Sequence, residues 1–132
     1  MGRRGRSGSA FYLQHAQSGR WTFGVTGTDT LQPQFSTAVS GSSAVLNQWT
    51  HLAGVYNATN ATITLYVNGK ADPTIGTVSA RTWNATGPLV FGRSKFDDVA
   101  SNYWPGDIDD IRVLAGAVTA PQIAALNANT PS

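Results

Sequence analysis

The sequence predicts an all-β fold, a sandwich or barrel of short antiparallel strands with one short helix near the C-terminus. Two observations predict the strands: apolar and polar residues alternate with period two, and turn residues break the alternating runs. A third predicts the helix: a start signal at residue 119, followed by apolar residues on one face.

The elements follow in order. Residues 10–16 (AFYLQHA) and 20–26 (RWTFGVT) flank Ser18-Gly19 and read as a hairpin. Trp21, Phe23 and Val25 share one apolar face, because successive strand side chains point to opposite sides. Residues 34–39 form a weaker strand and 49–57 (WTHLAGVYN) a strong one. In 61–67 (ATITLYV), Ile63, Leu65 and Val67 alternate with Thr62, Thr64 and Tyr66. Asn68-Gly69 then suits a type I′ turn, since both residues tolerate positive φ. Pro73 makes the returning strand an edge or a broken one. Residues 88–93 (PLVFGR) and 106–114 (GDIDDIRVL) complete the strand series. Thr119, Pro121 and Gln122 supply a helix cap, a first-turn proline and a capping-box partner.

A chain of 132 residues is one domain. It divides into a flexible Gly/Arg/Ser tail over 1–9 and a domain over 10–128. Charged residues are only 12%, so the surface is mostly Ser, Thr, Asn, Gln and Gly. There is no cysteine, which removes disulfide and thiolate chemistry. The net charge is +2, but Arg3, Arg4 and Arg6 lie in the tail. The remainder holds six basic against seven acidic residues, a net of −1. Nucleic acid is therefore not the expected partner. No long apolar run is present, so neither a signal peptide nor a membrane insertion is expected from this chain. Three Asn-Ala-Thr sequons begin at Asn57, Asn60 and Asn84. They serve equally well as turn residues, the reading preferred for them here.

All seven acids are Asp, and three of them, Asp107, Asp109 and Asp110, fall within four residues. In a regular strand Asp109 and Asp110 would point to opposite faces, each beside apolar neighbours. A carboxylate against a core must be paired, hydrogen-bonded or metal-bound. No Glu is present, and glycosidases of sandwich architecture work through a carboxylate pair, usually Glu. His15 and His51 are the two histidines and lie far apart in sequence. His51 reads as a hydrogen-bonded core residue. No phosphate loop, nucleophile elbow or His-Glu-x-x-His motif appears. No catalytic residues are therefore expected. Trp83, Tyr103 and Trp104 fall in or beside loops, where a large ring is hard to bury. They are the candidate ligand-binding residues, because sugar rings stack on such faces. Trp104 serves equally as a plug at the end of the sandwich.

Three blocks, 49–70, 88–93 and 104–126, resemble in this order the laminin G-like, concanavalin A-like jelly roll. The pieces are Trp49-Thr-His51-Leu-Ala53, Leu65-Tyr-Val-Asn-Gly69 and Gly106-x-Ile108-Asp109-Asp110, followed by a helix-like segment. The resemblance implies a two-sheet antiparallel jelly-roll sandwich. It also implies a non-catalytic adhesion or carbohydrate-binding module of a secreted or cell-surface protein. The alternatives are a protein–protein interaction module and, behind it, a glycan hydrolase or lyase. Members often bind calcium, and Asp109 is the position that carries over as a metal ligand. A backbone amide, Arg93 or His51 as the partner of Asp109 is the competing account. The family usually begins with further strands, so the chain is expected to lack N-terminal strands. An open edge and self-association through it are the expected result.

Overall fold

The computed structural model describes residues 2–3, 9–27, 35–73, 76–77, 89–96, 99–101 and 104–129. For residues 2–3, 76–77, 94–96, 100 and 101 the backbone alone is described.

Every strand pairing among the described residues is antiparallel. The first main sheet has the order β2-β3-β4, with β2 Phe11–His15, β3 Arg20–Thr26 and β4 Phe35–Ser43. The second is centred on β6 Thr62–Val67. It pairs with β5 Leu52–Asn57 on one side, and with β7 Lys70–Ala71 and β8 Gly76–Thr77 on the other. Two short pairs complete the pattern. One joins β1 Gly2–Arg3, within the stretch expected as a tail, to β9 Leu89–Val90. The other joins β10 Ser94–Phe96 to β11 Val99–Ser101. The helix α1 spans Ala120–Ala128.

The core lies where the two main sheets meet. Phe23, Val25 and Ala38 from the first sheet cluster with Ile63 and Leu65 from the second. The register explains a close approach at Gly54, which pairs with Leu65. A Cβ on Gly54 would lie 2.5 Å from the Phe23 ring. Only glycine lets that ring settle on the β5 backbone.

β3 is the centre of its sheet, and its polar residues are buried with the apolar ones. Thr22 and Thr26 are both inside. Thr26 meets the cost of burial by donating its hydroxyl to the Ser9 carbonyl at 2.9 Å. Between Arg20–Ser43 and Thr22–Val39 the register of β4 slips by two residues, a bulge over Ser40-Gly41-Ser42. Ser40 makes this bulge self-sufficient. Its hydroxyl accepts the Trp21 N–H (3.0 Å) and donates to the Ser42 carbonyl (2.7 Å). Asp72 then ties the bulge to the other sheet. Its carboxylate accepts the Gly41 N–H at 2.8 Å, while its own N–H donates to the Leu65 carbonyl at 2.8 Å.

The Asn68-Gly69 turn has the expected geometry, with φ of 51° and 79°. The turn also fixes two neighbours. The Asn68 side chain accepts the His51 N–H (2.9 Å), and Asn127 of α1 donates to the Asn68 carbonyl (3.2 Å). The helix start is a complete capping box between Thr119 and Gln122, as the sequence predicts. Ile123 is the residue of α1 that is buried.

Two expectations about the strands fail. Residues 106–114 are not a strand: no stretch of 107–114 is paired, and Asp110 has a φ of 50°. Strand parity therefore does not apply to Asp109 and Asp110. The left-handed backbone at Asp110 breaks the extended run, a conformation that Asp tolerates better than branched residues. The strand expected from residue 49 begins at Leu52, and Trp49 ahead of it is 56% exposed.

Leu65→Ala should lower unfolding stability by about 2–5 kcal/mol in urea titration, because it opens a cavity between the sheets. A smaller loss would show that the sheets do not pack across Leu65. Gly69→Ala should cost about 1–3 kcal/mol. Its Cβ would be strained at positive φ and would lie 3.1 Å from the Asn127 Cβ.

Candidate functional site

Among the described residues the sheets border a wide concavity, a cleft of ≈ 1620 Å³. Its lining includes Phe11 and Leu13 of β2, Trp21 of β3, and Val55 and Tyr56 of β5. The whole segment 104–114 lines it as well.

Aromatic rings define one part of this cleft. Trp104 stacks on Trp21 with ring centroids 5.8 Å apart and planes at 17°. His15 meets Trp21 edge-on at 5.4 Å. Trp21 occupies this place because β3 carries it beside His15, its register partner on β2. Trp104 is held by its backbone, whose N–H donates to the Gly92 carbonyl at 2.7 Å. Trp104 is half-buried, so the stack is part plug and part surface. Trp83 and Tyr103, the other two expected ligand-binding residues, lie outside the described residues. Trp49 is a cleft residue that the sequence reading placed in a strand and did not select. Its exposure is a consequence of β5 starting three residues later than the alternation suggests. The sequence carries no signal for that late start.

Polar groups gather at another part of the cleft. Asp110 accepts from Arg112 at Nε (3.1 Å) and Nη2 (3.4 Å). The two side chains are 25% and 49% exposed, so the pair is worth well under 1 kcal/mol or so. Asp109 turns to its own backbone: one carboxylate oxygen accepts the Asp110 N–H at 2.8 Å. His51 is bonded to Asn68 through both its backbone N–H and its carbonyl. Its ring is not the hydrogen-bonded core group expected, since Nδ1 is buried without a partner. Burial holds the imidazole below its ordinary value of 6.5; Asp110 pulls it back up and Arg112 pushes it further down.

Calcium takes roughly six to eight oxygen ligands. Among the described residues, no group of three His, Cys, Asp or Glu side chains gathers to hold a metal. The sequons at Asn57 and Asn60 have turn roles. Asn57 accepts the Thr59 N–H at 3.0 Å, and Asn60 accepts the Thr62 hydroxyl at 2.6 Å. Asn84 lies outside the described residues.

The chain matches the family model of the concanavalin A-like lectin/glucanases superfamily, a laminin G group, over residues 2–124. It belongs to that family. The chain is also similar to a solved S-layer domain-containing protein, residues 221–444, from Clostridium thermocellum ATCC 27405. The identity is 25% and the TM-score 0.56, over 89% of this chain and 55% of that one. The chain thus spans about half of that solved structure. No curated protein matches it. Among the described residues, no helix is long and apolar enough to cross a membrane.

Two outcomes follow from this geometry. A histidine whose folded value is depressed contributes stability that is present above the unfolded value and lost as pH falls below it. Melting temperature should therefore drop as pH falls below 6.5, and His51→Gln should flatten that part of the profile. An unchanged profile in His51→Gln would place the sensitivity elsewhere. Asp109 as a calcium ligand predicts a melting temperature that rises with millimolar calcium and a rise that Asp109→Ala abolishes; a flat response would leave Asp109 with its bond to the Asp110 N–H alone.

Proposed function

We propose that the protein is a non-catalytic binding module of a secreted or cell-surface protein, taking carbohydrate in the cleft beside the Trp21–Trp104 stack. That stack is the observation that carries the reading. Sugars offer one face of C–H groups and a rim of hydroxyls. An indole face takes the first, and polar groups take the second. Trp104 and the exposed Trp49 supply aromatic surface in one cleft. Asp110, Arg112 and Asn68 supply donors and acceptors in the same cleft. Trp83 and Tyr103 belong to the proposal as further stacking residues on sequence grounds.

The extracellular setting draws on the family and on the S-layer domain of the similar structure. The absence of catalysis draws on the titratable groups. Asp109 and Asp110 are engaged in local hydrogen bonds, and the chain has no Glu. Burial pushes the Tyr12 hydroxyl up to about 12, so it stays protonated at neutral pH.

A protein partner is the second reading. Ile108, Ile111, Val113 and Leu114 are each more than 40% exposed, an apolar content that sugar binding alone does not explain.

A glycan array should show binding of the wild-type chain. Trp104→Ala and Trp49→Ala should each weaken it roughly tenfold, about 1.4 kcal/mol. Binding to no glycan, with the fold intact by circular dichroism, would favour the protein partner. Glycan hydrolysis that disappears in Asp109→Asn or Asp110→Asn would overturn the non-catalytic reading.

A further inference from the structure

The apolar face of β3 leaves the core at Trp21. Val25 and Phe23, on the same face, are 3% and 5% exposed and belong to the core cluster. Trp21 is the next residue along that face. It is half-buried, packs against the core and lines the cleft, where Trp104 stacks on it. The change falls at one irregularity of the sheet. β4 pairs evenly with β3 from Thr26–Phe35 to Thr22–Val39 and resumes at Arg20–Ser43. Ser40, Gly41 and Ser42 therefore stand opposite Trp21 alone.

A bulge of this kind takes backbone groups out of the ladder, and each needs another partner. Side chains supply them here. The Ser40 hydroxyl accepts the Trp21 N–H (3.0 Å) and donates to the Ser42 carbonyl (2.7 Å). Arg20 donates through Nη1 to the Ser40 carbonyl (3.3 Å), and the Asp72 carboxylate accepts the Gly41 N–H (2.8 Å). Ser40 is 2% exposed, so bulk water does not stand in for its hydroxyl. Of these bonds, the one from Trp21 to Ser40 reaches the backbone of a stacked aromatic. Trp104 has a separate anchor, the Gly92 carbonyl. The two indoles thus meet only where both backbones are fixed.

We propose that Ser40 is the positioning residue of the aromatic stack: the bulge it closes fixes the backbone at Trp21 and so holds the Trp21 indole in the plane on which Trp104 lies. Bulges raise the local twist and re-aim side chains. An even ladder would carry Trp21 onward between the sheets with Phe23 and Val25. The bulge turns it to the cleft instead. The part of Ser40 in ligand binding rests on the stack being the binding surface proposed above. Its placing of Trp21 does not.

Indole N–H signals in NMR report the stack without any ligand, because each ring lies in the ring current of the other. Trp21→Phe and Trp104→Phe assign the two signals. Ser40→Ala, which removes both hydroxyl bonds, should move them toward the position of free tryptophan. Ser40→Thr, which keeps a hydroxyl, should restore them. Thr26→Val is the comparison, since it removes buried hydroxyl bonds at the far end of β3. It should lower the melting temperature and move neither signal. If Ser40→Ala does not fold, Ser40→Cys, which keeps a weaker donor and acceptor, is read in the same way. Unmoved signals in the folded Ala or Cys variant, or equal movement in Thr26→Val, would overturn the role of Ser40. On a glycan that the wild-type chain binds, Ser40→Ala should weaken binding roughly tenfold, as Trp104→Ala does. An unchanged affinity with displaced signals would remove Ser40 from binding. Binding to no glycan, with the signal changes as expected, would overturn the sugar and leave the placing of Trp21 to Ser40.

Discussion

The contact of Phe23 with the backbone at Gly54 is the constraint on which the two-sheet packing depends. Face-to-face sheets normally stand about 10 Å apart, a gap filled by side chains from both inner faces. Here an aromatic ring from β3 reaches a residue of β5 that has no side chain. That lets Ile63 and Leu65 of β6 close around the same ring cluster with no measurable exposure. The same arrangement leaves β5 thin on this part of its surface. The cleft opens alongside it, and Gly54 itself is among the lining residues.

Polar ties carry what a small core cannot. The chain has few charges, and its cross-links between elements are mostly backbone groups held by single amides, hydroxyls or carboxylates. Asp72 links the β4 bulge to β6, Ser40 closes the bulge, and Asn68 holds both His51 and α1. Each gives an amide or carbonyl group a partner, worth about 0.5–1.5 kcal/mol, somewhat more where a carboxylate takes part. Their value lies less in that sum than in geometry. They set where the aromatic stack and the segment 104–114 can stand relative to the sheets.

Much of this was legible in the sequence. The Asn68-Gly69 turn, the Thr119–Gln122 capping box and the alternation of Ile63 and Leu65 are local signals, and local physics decides them. The quoted motifs likewise led to the family that the chain belongs to. What was not legible depends on partners distant in sequence. The pattern Asp-Ile-Asp-Asp-Ile-Arg-Val satisfies the strand rule, but alternation says nothing about whether an edge is available or whether Asp110 turns left. Trp21 was read only as part of an apolar strand face with Phe23 and Val25, and the folded chain brings Trp104 onto it from 83 positions away in the sequence. The exposure of Trp49 is equally a matter of where β5 begins. Asp109 illustrates the remaining ambiguity of composition. A short run of carboxylates suggests a cation, while the nearest donor to Asp109 is the next peptide N–H in its own chain.

The Asn68-Gly69 turn has a consequence for how the chain reaches this structure. β5, β6 and β7 are joined by a loop of four residues, 58–61, and a turn of two. Their pairings are therefore sequence-local, and short loops close in well under a microsecond to microseconds. The contacts of Phe23 with Gly54, and of Asp72 with Gly41, span about thirty residues and carry a larger closure entropy. This topology makes the 52–71 hairpin unit the natural nucleus, with the first sheet condensing onto it. Helix α1 docks only after the turn, because the carbonyl that receives Asn127 is in position only once the turn has formed. The C-terminal helix of this fold is thus received by a site that the middle of the chain has already built.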